Sequence, residues 1–311
     1  MDHELTVLMA IHNGSPFLRV AIDSILQQTF RDFCFLIVDD ASTDDTREIV
    51  RSYKDPRIEL LCLERNLGQT GALNVGLRHA STPWIARMDA DDYSAATRFQ
   101  EQMEVLGSDH SLKCVGTNAW TFTDDPAAIE GEIIKPDNHV GIMKELLRGS
   151  PIIHGTIIVD REVLLKIGAY NESYRYANDV ELYDRLLAKH PSANIPHKLL
   201  GIRRHEEQGS RTKASFDEVI EIFEHRLVHQ NYSRQEAKVV RATLSRFHVV
   251  RARFYLIEKN LPETGRDLVR AFRTSPSQFI WNCIFVSVVY QMSERSRVRV
   301  KRLLRKVPKT S

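Results

Sequence analysis

The chain has 311 residues, 42% of them hydrophobic and 27% charged, with a net charge of +2. These values are typical of an ordinary soluble globular protein with a sizeable core. So small a charge gives no indication of a nucleic-acid partner, and the longest apolar run, Phe279–Tyr290, is well short of the roughly 20 residues of a membrane-spanning helix.

The cysteine pattern and the start of the chain bear on location. The cysteines are far apart and form no Cys-x-x-Cys pair, which favours reduced core thiols and disfavours a zinc site. Met1–Glu4 is polar and the apolar run after it is too short for a signal-peptide core. We therefore expect a cytoplasmic protein, with contact at the inner face of the membrane as an option. The cysteines are Cys34, Cys62, Cys114 and Cys283.

The first half alternates short apolar runs with helical patterns. This alternation predicts an α/β fold with a doubly wound, mostly parallel sheet and helices on both faces. Ligands bind such sheets at the carboxyl ends of the strands. The predicted strands are Leu5–Ile11, Phe33–Val38, Ile58–Cys62 and Trp84–Met88. The predicted helices run from Pro16 to about Gln28, from a capping box at Ser42 and Asp45 to about Tyr53, and from Gln69 to His79.

The second half mixes a short strand with helices and becomes helical from about Ser215. We predict a domain at 1–212, with a nucleotide-binding half (1–110) and an acceptor half (111–212), followed by a helical extension (213–311). The predicted strand is Thr156–Val159. The helices are His139–Leu147, Arg161–Ile167 and Asp179–Lys189, then a hairpin of Glu236–Glu258 and Thr264–Phe272 with Pro262 in its break.

Two acidic clusters follow predicted strands. Asp89-Ala90-Asp91 comes directly after Trp84–Met88, where its carboxylates suit a divalent cation that also binds phosphate oxygens. Asp39-Asp40 ends another strand, where carboxylates accept hydrogen bonds from a ribose hydroxyl or a base N–H. The alternatives are a solvated turn with Asp92 as a helix cap in the first case and helix capping in the second.

Five segments in this order resemble the family-2 glycosyltransferases with the GT-A fold. They are Leu5-Thr-Val-Leu-Met-Ala-Ile-His-Asn-Gly, Leu36-Ile-Val-Asp-Asp-Ala-Ser-Thr-Asp, Arg65-Asn-Leu-Gly, Ala72-Leu-Asn-Val-Gly-Leu and Ala86-Arg-Met-Asp-Ala-Asp-Asp. The resemblance covers about residues 5–210 and implies an inverting enzyme with a nucleotide-sugar donor. It implies that Ala10, His12, Asn13, Asp39 and Asp40 line the nucleoside pocket, and that Asn66, Gly68, Asn74 and Arg87 support that pocket or the diphosphate. By the same resemblance, Asp89 and Ala90 lie on the ribose side and Asp91 ligates Mg²⁺ or Mn²⁺.

Two later segments complete the resemblance. Tyr176-Ala-Asn-Asp-Val-Glu-Leu-Tyr-Asp-Arg-Leu is similar to the segment with the catalytic base, which implies that Asp179 removes the acceptor proton. Ile202-Arg-Arg-His-Glu-Glu-Gln-Gly-Ser is similar to a Tyr-Arg-x-His loop, which implies that His205 is a second metal ligand and that Gln208 and Ser210 close over the diphosphate. His154 and Asn178 are candidates for contact with the acceptor or the donor sugar. The alternatives are a helix N-cap for Asp179, a solvated His205 and a structural His154.

Three departures from the family pattern bear on the site. His12 stands where an aromatic residue is usual, Leu73 replaces a frequent arginine, and Asn178 replaces the acid that usually precedes the base. Losing that acid should leave the Asp179 pKa lower than in a paired site. Arg65 or Arg87 would supply the charge missing at Leu73. The processive motif Gln-x-x-Arg-Trp is absent, which favours transfer of a single sugar.

The basic end of the chain suggests a partner. Residues 295–309 contain eight Lys/Arg and no acid, which suits an anionic membrane surface and an acceptor that is a saccharide or a lipid-linked saccharide of cell-surface polysaccharide assembly. A solvated tail is the alternative, and nucleic acid is disfavoured because no aromatic residues alternate with the charges.

A degenerate, non-catalytic binding subunit is the alternative function. A dehydrogenase is disfavoured because Ala10-Ile-His-Asn-Gly-Ser lacks Gly-x-Gly-x-x-Gly.

Overall fold

A computed structural model describes residues 3–205 and 212–291. Its first half confirms the predicted parallel sheet. Strand β1 pairs in parallel with both β2 and β4, and β2 pairs in parallel with β3. The strands are β1 (Leu5–Ile11), β2 (Phe33–Asp39), β3 (Ile58–Cys62) and β4 (Trp84–Arg87), and the helices between them are α1 (Leu18–Leu26), α2 (Thr46–Ser52) and α3 (Gly68–His79).

The starts of two helices differ from the prediction. Pro16 precedes α1, because the chain first makes a turn in which Gly14 O accepts from the amides of Phe17 and Leu18 at 3.1 Å. The capping box at Ser42 and Asp45 is wrong, since no side chain caps α2. The Ser42 hydroxyl accepts instead from the Asn13 amide at 2.9 Å, so it joins two loops at the carboxyl ends of β1 and β2.

The second half adds strands of both orientations to the same sheet. The order is β3-β2-β1-β4-β8-β6-β9-β5, with β7 on β6. Strand β8 is antiparallel to β4 and β6, and β9 runs parallel to β6. The added strands are β5 (Tyr93–Ser94), β6 (Cys114–Phe122), β7 (Gly131–Ile133), β8 (Ile158–Asp160) and β9 (Ser192–Arg203). The helices are α4 (Arg98–Ser108), α5 (His139–Leu146), α6 (Arg161–Lys166) and α7 (Asn178–Leu187), with a 3₁₀ turn at His154–Thr156.

The long pair of β6 and β9 was not predicted. Its register shifts on either side of Asn118, because Pro196 lacks an amide hydrogen for the ladder. The Asn118 side chain bridges the irregularity by donating to Pro196 O at 2.8 Å. The irregularity lets β9 continue for twelve residues to Arg203, beside the acidic loop after β4.

The sheet has a buried core on each face. Because side chains alternate along a strand, Leu5, Val7 and Met9 of β1 pack with α1 and α4, whereas Leu8 packs with α3 and α7. Helix α3 approaches the sheet closely at Gly76, where a Cβ atom would lie 2.3 Å from Leu8 Cδ1. Two packed layers of helices therefore fix the strand ends at which the loops emerge.

The residues after the sheet form helices α8 (Lys213–His229), α9 (Arg234–Ile257), α10 (Leu261–Thr274) and α11 (Pro276–Gln291). Pro262 is not in the break of the predicted hairpin but in the first turn of α10, where a missing amide hydrogen costs nothing. Within α8–α10, Arg251 forms two hydrogen bonds of 2.7 Å with buried Asp267. Among the described helices, none has the length and apolarity to cross a membrane.

The described residues fall into two compact units. One contains residues 3–146 and 150–205, and the other contains residues 147–149 and 212–291. The boundary at residue 212 and the functional division at residue 110 stay predictions. Gln208, Ser210 and the basic segment 295–309 lie outside the described residues.

Candidate active site

Three carboxylates meet in the loop between β4 and β5. Oxygen atoms of Asp89, Asp91 and Asp92 lie within 4.8 Å of one another. Asp89 and Asp91 are partly exposed, whereas Asp92 is buried. Burial and the Asp91 charge raise the pKa of Asp92 to about 8. The alternative that Asp92 caps a helix is wrong, because α4 begins only at Arg98, after Thr97.

The end of β9 brings a histidine to this acidic loop. His205 Nε2 lies 2.9 Å from Asp91 Oδ2, and the ring of Phe17 packs on His205 with centroids 4.9 Å apart. Arg203 holds the end of β9 against the acidic loop. Its amide donates to Asp92 Oδ1 and its Nε donates to Asp91 O, each at 3.1 Å. The predicted metal ligands Asp91 and His205 are therefore neighbours, although 114 positions separate them in sequence.

The side chains in this loop fit a hard divalent cation. Carboxylate oxygens with one imidazole nitrogen are suitable donors for Mg²⁺ or Mn²⁺. Burial and then the neighbouring Asp91 charge raise the pKa of Asp92, and a bound cation would favour its charged form. Asp91 and His205 would hold the ion, with Asp89 and Asp92 within reach.

Arg87, the last residue of β4, supplies positive charge beside the cluster. Its Nη1 atom pairs with Asp89 Oδ2, and its Nε atom has no hydrogen-bond partner among the described residues. The side chain is 4% exposed, and burial lowers its pKa. A buried donor without a partner beside a metal-type site suits an anionic ligand.

Below this strand end lies a buried arginine that the sequence analysis missed. Arg98, in α4, has no exposed surface. Its Nη2 donates to Arg87 O at 2.8 Å and its Nε donates to Gln102 Oε1 at 3.1 Å. Burial, followed by the charge of Arg87, lowers its pKa to about 9. A single sequence shows only an arginine near a helix start, which gave no signal of this role.

The acids at the end of β2 form hydrogen bonds within the protein. Asp39 accepts from Arg47 Nε at 2.5 Å and from the Ser42 amide at 3.2 Å. Asp40 Oδ1 accepts from the Leu67 amide at 2.6 Å. Both residues are buried. In this arrangement they hold the surrounding loops, and a nucleoside would have to share or replace these bonds.

The loop after β1 lies against the same two acids. His12 Nδ1 is 2.8 Å from Asp40 O, and Asn13 Oδ1 accepts from the Thr43 amide at 2.8 Å. His12 and Asn13 are exposed, whereas Ala10 is half-buried. Asn13 has φ 54°, which asparagine tolerates better than most residues. The structure therefore brings the predicted nucleoside residues Ala10, His12, Asn13, Asp39 and Asp40 together.

The β3–α3 loop adjoins this group. Asn66 Nδ2 donates to Asp40 O at 3.4 Å, and Asn66 Oδ1 accepts from the Gly68 amide at 3.0 Å. Gly68 has φ +76°, a conformation that favours glycine. Arg65 in this loop is exposed, and Leu73 of α3 is buried in the core. Arg87, not Arg65, therefore lies beside the acidic cluster.

Two predicted asparagines have internal partners. Asn74 exchanges hydrogen bonds with the backbone of Tyr170 and donates to Glu172, each at 2.9 Å. Asn178 donates to Thr70 Oγ1 at 2.9 Å. Both are buried. Asn74 joins α3 to the segment before α7, and Asn178 joins α3 to the first turn of α7.

The predicted base lies in the first turn of α7. Asp179 Oδ2 accepts from Ser150 Oγ at 2.9 Å. Burial raises the pKa of Asp179, and the Ser150 hydrogen bond opposes that effect. The alternative of an N-cap is wrong, because Ala177 occupies the cap position. Glu181, the other carboxylate in this turn, pairs with Arg185 at 2.6 Å.

His154 begins the 3₁₀ turn and lies near Arg87. Its Nε2 is 2.8 Å from the Tyr170 hydroxyl, and burial and the Arg87 charge hold its pKa well below 6.5. The next residue, Gly155, fits tightly, since a Cβ atom there would lie 3.4 Å from Asp89 Oδ2 and 3.5 Å from Arg87 Nη1. A neutral imidazole thus adjoins the same arginine as the carboxylates. Ala90 packs half-buried against the core beneath the loop.

The mixed sheet, with helices on both faces and an acidic loop after β4, defines a GT-A type of α/β architecture, and sequence comparison gives the family. A model described as "Glycosyl transferase family 2" matches residues 6–168. The chain belongs to this family and is a glycosyltransferase. The O-antigen biosynthesis glycosyltransferase WbnJ of Escherichia coli is 31% identical over 227 residues, which cover 69% of this chain and 85% of WbnJ. EpsE of Bacillus subtilis is 32% identical over 188 residues, which cover 58% of this chain and 66% of EpsE.

Solved structures confirm the GT-A type of fold. S. aureus TarS 1-349 in complex with UDP-GlcNAc has a TM-score of 0.69 and 16% identity, with 94% of this chain and 92% of that chain covered. The mannosyltransferase PcManGT from Pyrobaculum calidifontis, in complex with GDP-Man and Mn²⁺, has a TM-score of 0.61 and 17% identity, with 98% and 88% covered.

Proposed function

We propose that this glycosyltransferase is inverting and non-processive and moves one sugar from a nucleotide-diphosphate donor to a hydroxyl acceptor. The observation that carries the proposal is the pairing of His205 with Asp91 at 2.9 Å inside the cluster of Asp89 and Asp92. Carboxylate oxygens and an imidazole nitrogen are donors that a divalent cation can bind, and here they come together from two distant segments of the chain.

Asp91 and His205 would hold Mg²⁺ or Mn²⁺. The bound ion would neutralise the charge on the diphosphate leaving group. Arg87 adds a cation on the other side of the cluster, and its unpartnered Nε is available to a phosphate oxygen. Ala10, His12, Asn13, Asp39 and Asp40 form the nucleoside side of the proposed site.

Asp179 is the proposed general base, which accepts the acceptor hydroxyl proton as that oxygen attacks the anomeric carbon from the face opposite the leaving group. Its raised pKa makes it a stronger base than an exposed aspartate. Arg87 is linked electrostatically to both Asp179 and Asp91, which supports placing the base and the metal ligands in a single site. His154 is a candidate for contact with the acceptor or the donor sugar.

The substrates are proposed from the relatives. WbnJ acts in O-antigen biosynthesis by its name, which supports a saccharide or lipid-linked saccharide acceptor in polysaccharide biosynthesis. TarS and PcManGT were solved with UDP-GlcNAc and GDP-Man, so both bases deserve testing, and we favour UDP. The degenerate binding subunit remains the alternative.

The first test is a thermal-shift panel of UDP-, GDP- and dTDP-sugars with and without Mn²⁺. We expect a metal-dependent rise in melting temperature with one nucleotide, and its loss in Asp91→Ala. Asp32→Ala removes an exposed carboxylate on another loop and should keep the shift. If no donor stabilises the wild type in the presence of Mn²⁺, the proposed donor site is wrong.

The second test concerns the base. Asp179→Asn should lower turnover by about 10²- to 10⁴-fold, which is the contribution of a positioned general base. Its donor-induced thermal shift should persist. Glu181→Gln alters the neighbouring carboxylate of the same helix and should retain most activity. Turnover retained in Asp179→Asn would refute the assignment.

A further inference from the structure

The last described helix exposes apolar side chains along one face. Ile280, Trp281 and Ile284 are 67%, 60% and 48% exposed, and their spacing puts them on one side of α11. The opposite side is packed, since Asn282 donates to Ser245 Oγ of α9 at 3.0 Å and Val286 is buried. The exposure is therefore a property of a helix anchored through its other face.

Helix α10 extends this apolar surface. Val269 and Phe272 are 49% and 53% exposed. The Phe272 ring meets the Phe279 ring of α11 edge-on, with centroids 5.7 Å apart. This contact shows that α10 and α11 adjoin, so the exposed apolar side chains lie on two neighbouring helices of the helical unit. They are Val269, Phe272, Ile280, Trp281 and Ile284.

Positive charge flanks these residues. Arg266, Arg270 and Arg273 line one shallow depression of α10 together with Val269. Of the nearby acids, Glu263 pairs with Arg266, and buried Asp267 pairs with Arg251 and, at 3.5 Å, with Arg270. We call the five apolar residues and these three arginines the apolar–basic face.

We propose that the apolar–basic face docks on an anionic phospholipid surface. Isoleucine, phenylalanine and tryptophan beside arginines are typical of helices that lie in the membrane interface, and tryptophan favours that depth. Each arginine near an anionic leaflet contributes about 1 kcal/mol. Contiguous exposed apolar side chains of this kind mark interaction surfaces.

The charge argues against a second copy of the chain as the occupant. A symmetric dimer through this face would oppose three arginines with three arginines, which costs energy. The sequence after α11 has the same sign, with eight Lys/Arg and no acid in residues 295–309. An anionic lipid surface complements both. This docking does not depend on the proposed transfer reaction.

Sedimentation of the full chain with vesicles tests the docking. We expect binding to phosphatidylcholine vesicles that contain phosphatidylglycerol, release at high salt, and weak binding to phosphatidylcholine alone. The double variant Ile280→Ser with Ile284→Ser should bind at least about tenfold more weakly, given the value of burying two such side chains. Val228→Ser, at a valine of α8 that is 75% exposed, should bind like the wild type.

Fluorescence supplies a readout at the face itself. Of the three tryptophans, Trp120 is 8% exposed and Trp84 is half-buried, so a blue shift on adding anionic vesicles should come from Trp281. Trp281→Phe should abolish the shift and keep sedimentation. Each variant should keep the donor-induced thermal shift of the wild type, which separates failure of the docking from failure of the donor site.

Three outcomes would overturn the proposal. The full chain could fail to sediment with any vesicle. The Ile280→Ser, Ile284→Ser variant could bind as tightly as the wild type, which would assign binding to the basic segment alone. Light scattering could show a dimer that this variant dissociates, which would assign the face to a second copy.

Discussion

Arg98 is a fully buried cation beneath the acidic loop, and its hydrogen bonds explain how the charge is stabilised there. Arg98 donates to the Arg87 carbonyl, to Gln102 and to the Met88 sulfur. Gln102 in turn donates to the carbonyls of Val115 and Thr156. These bonds join the end of β4 to β6 and to the 3₁₀ turn, so Arg98 positions the strand end that precedes Asp89.

Arg98→Met should therefore destabilise the protein by about 2–4 kcal/mol, because it leaves buried acceptors without a donor. The change would be measured as a lower midpoint of urea unfolding. Arg31→Met removes an exposed arginine that donates to a carbonyl at 3.1 Å and should change stability by less than about 0.5 kcal/mol. Equal effects of the two substitutions would contradict a positioning role for Arg98.

Ser150 gives a pH-dependent prediction. Its hydroxyl stabilises the charged form of Asp179, so Ser150→Ala should raise the Asp179 pKa further. A base acts when ionised, and the acid limb of the kcat/KM profile should therefore move to higher pH. Loss of one bond to a charged group, about 1.5 kcal/mol, would lower kcat/KM roughly tenfold on that limb.

The plateau at higher pH should change little, which distinguishes this effect from general damage. Ser111→Ala removes a similar serine–aspartate bond of 2.6 Å at an exposed turn and should leave the profile unchanged. An unshifted acid limb in Ser150→Ala would show that Ser150 does not tune the base.

Some residues of the site stand in a recognisable sequence pattern, whereas others are identified only by their contacts in the fold. Asp89, Asp91 and Asp179 stand in sequence patterns next to predicted elements, so their candidacy could be argued from the sequence. Ser150 and Arg98 act through contacts with distant segments, and no local pattern marks them. Arg203 stands in the segment similar to Tyr-Arg-x-His, but its bonds to Asp91 and Asp92 are not visible in the sequence. The ion pair between Arg47 and Asp39 could not be predicted either, because it depends on the conformation of the loop between β2 and α2.

Among the elements, the parallel strands β1–β4 were predictable because each is a short apolar run between turn residues. Strands β6 and β9 were missed. Thr117, Asn118, Asn194 and Pro196 interrupt their apolar patterns, yet the first three of these are buried and bonded. Tertiary partners satisfy these polar groups, and a single sequence does not show those partners.

The close packing of α3 on the sheet gives a prediction at this scale. Gly76→Ala should destabilise the protein by about 1–3 kcal/mol, because the added Cβ would lie 2.3 Å from Leu8 Cδ1 and 2.9 Å from Val38 Cγ2. Gly107→Ala, in α4, has no atom within 4 Å of the added Cβ and should be neutral or stabilising by up to about 1 kcal/mol. Thermal unfolding of both variants would check the contrast.

At the scale of the whole chain, the helical unit has its own acid-sensitive ion pair. Burial tends to raise the pKa of Asp267, but the hydrogen bonds from Arg251 and the nearby His248 ring, 3.5 Å away, outweigh burial and lower it to about 2. Because this pKa lies below the unfolded value, the pair stabilises the unit above about pH 4, and the contribution is lost as pH falls towards 2.

Asp267→Asn should destabilise the helical unit by about 3–5 kcal/mol, since it leaves Arg251 buried without its main counter-charge. Asp217→Asn alters the other partner of Arg251, which is 45% exposed, and should cost less than about 1 kcal/mol. Hydrogen exchange resolved by segment would measure both. Similar losses of protection would show that burial of the partner does not govern the strength of the pair.

The contacts between the end of β9 and the acidic loop have a consequence for how the protein folds. Arg203 and His205 reach Asp91 and Asp92 across more than a hundred positions, and such distant pairings form slowly because a long loop must first close. During synthesis, the acidic loop leaves the ribosome well before its partners. A fragment ending at residue 168, where the family match stops, would contain the three carboxylates but neither His205 nor Asp179. We therefore expect catalytic competence to emerge only in the last stage of folding, after the sheet around the loop has already formed.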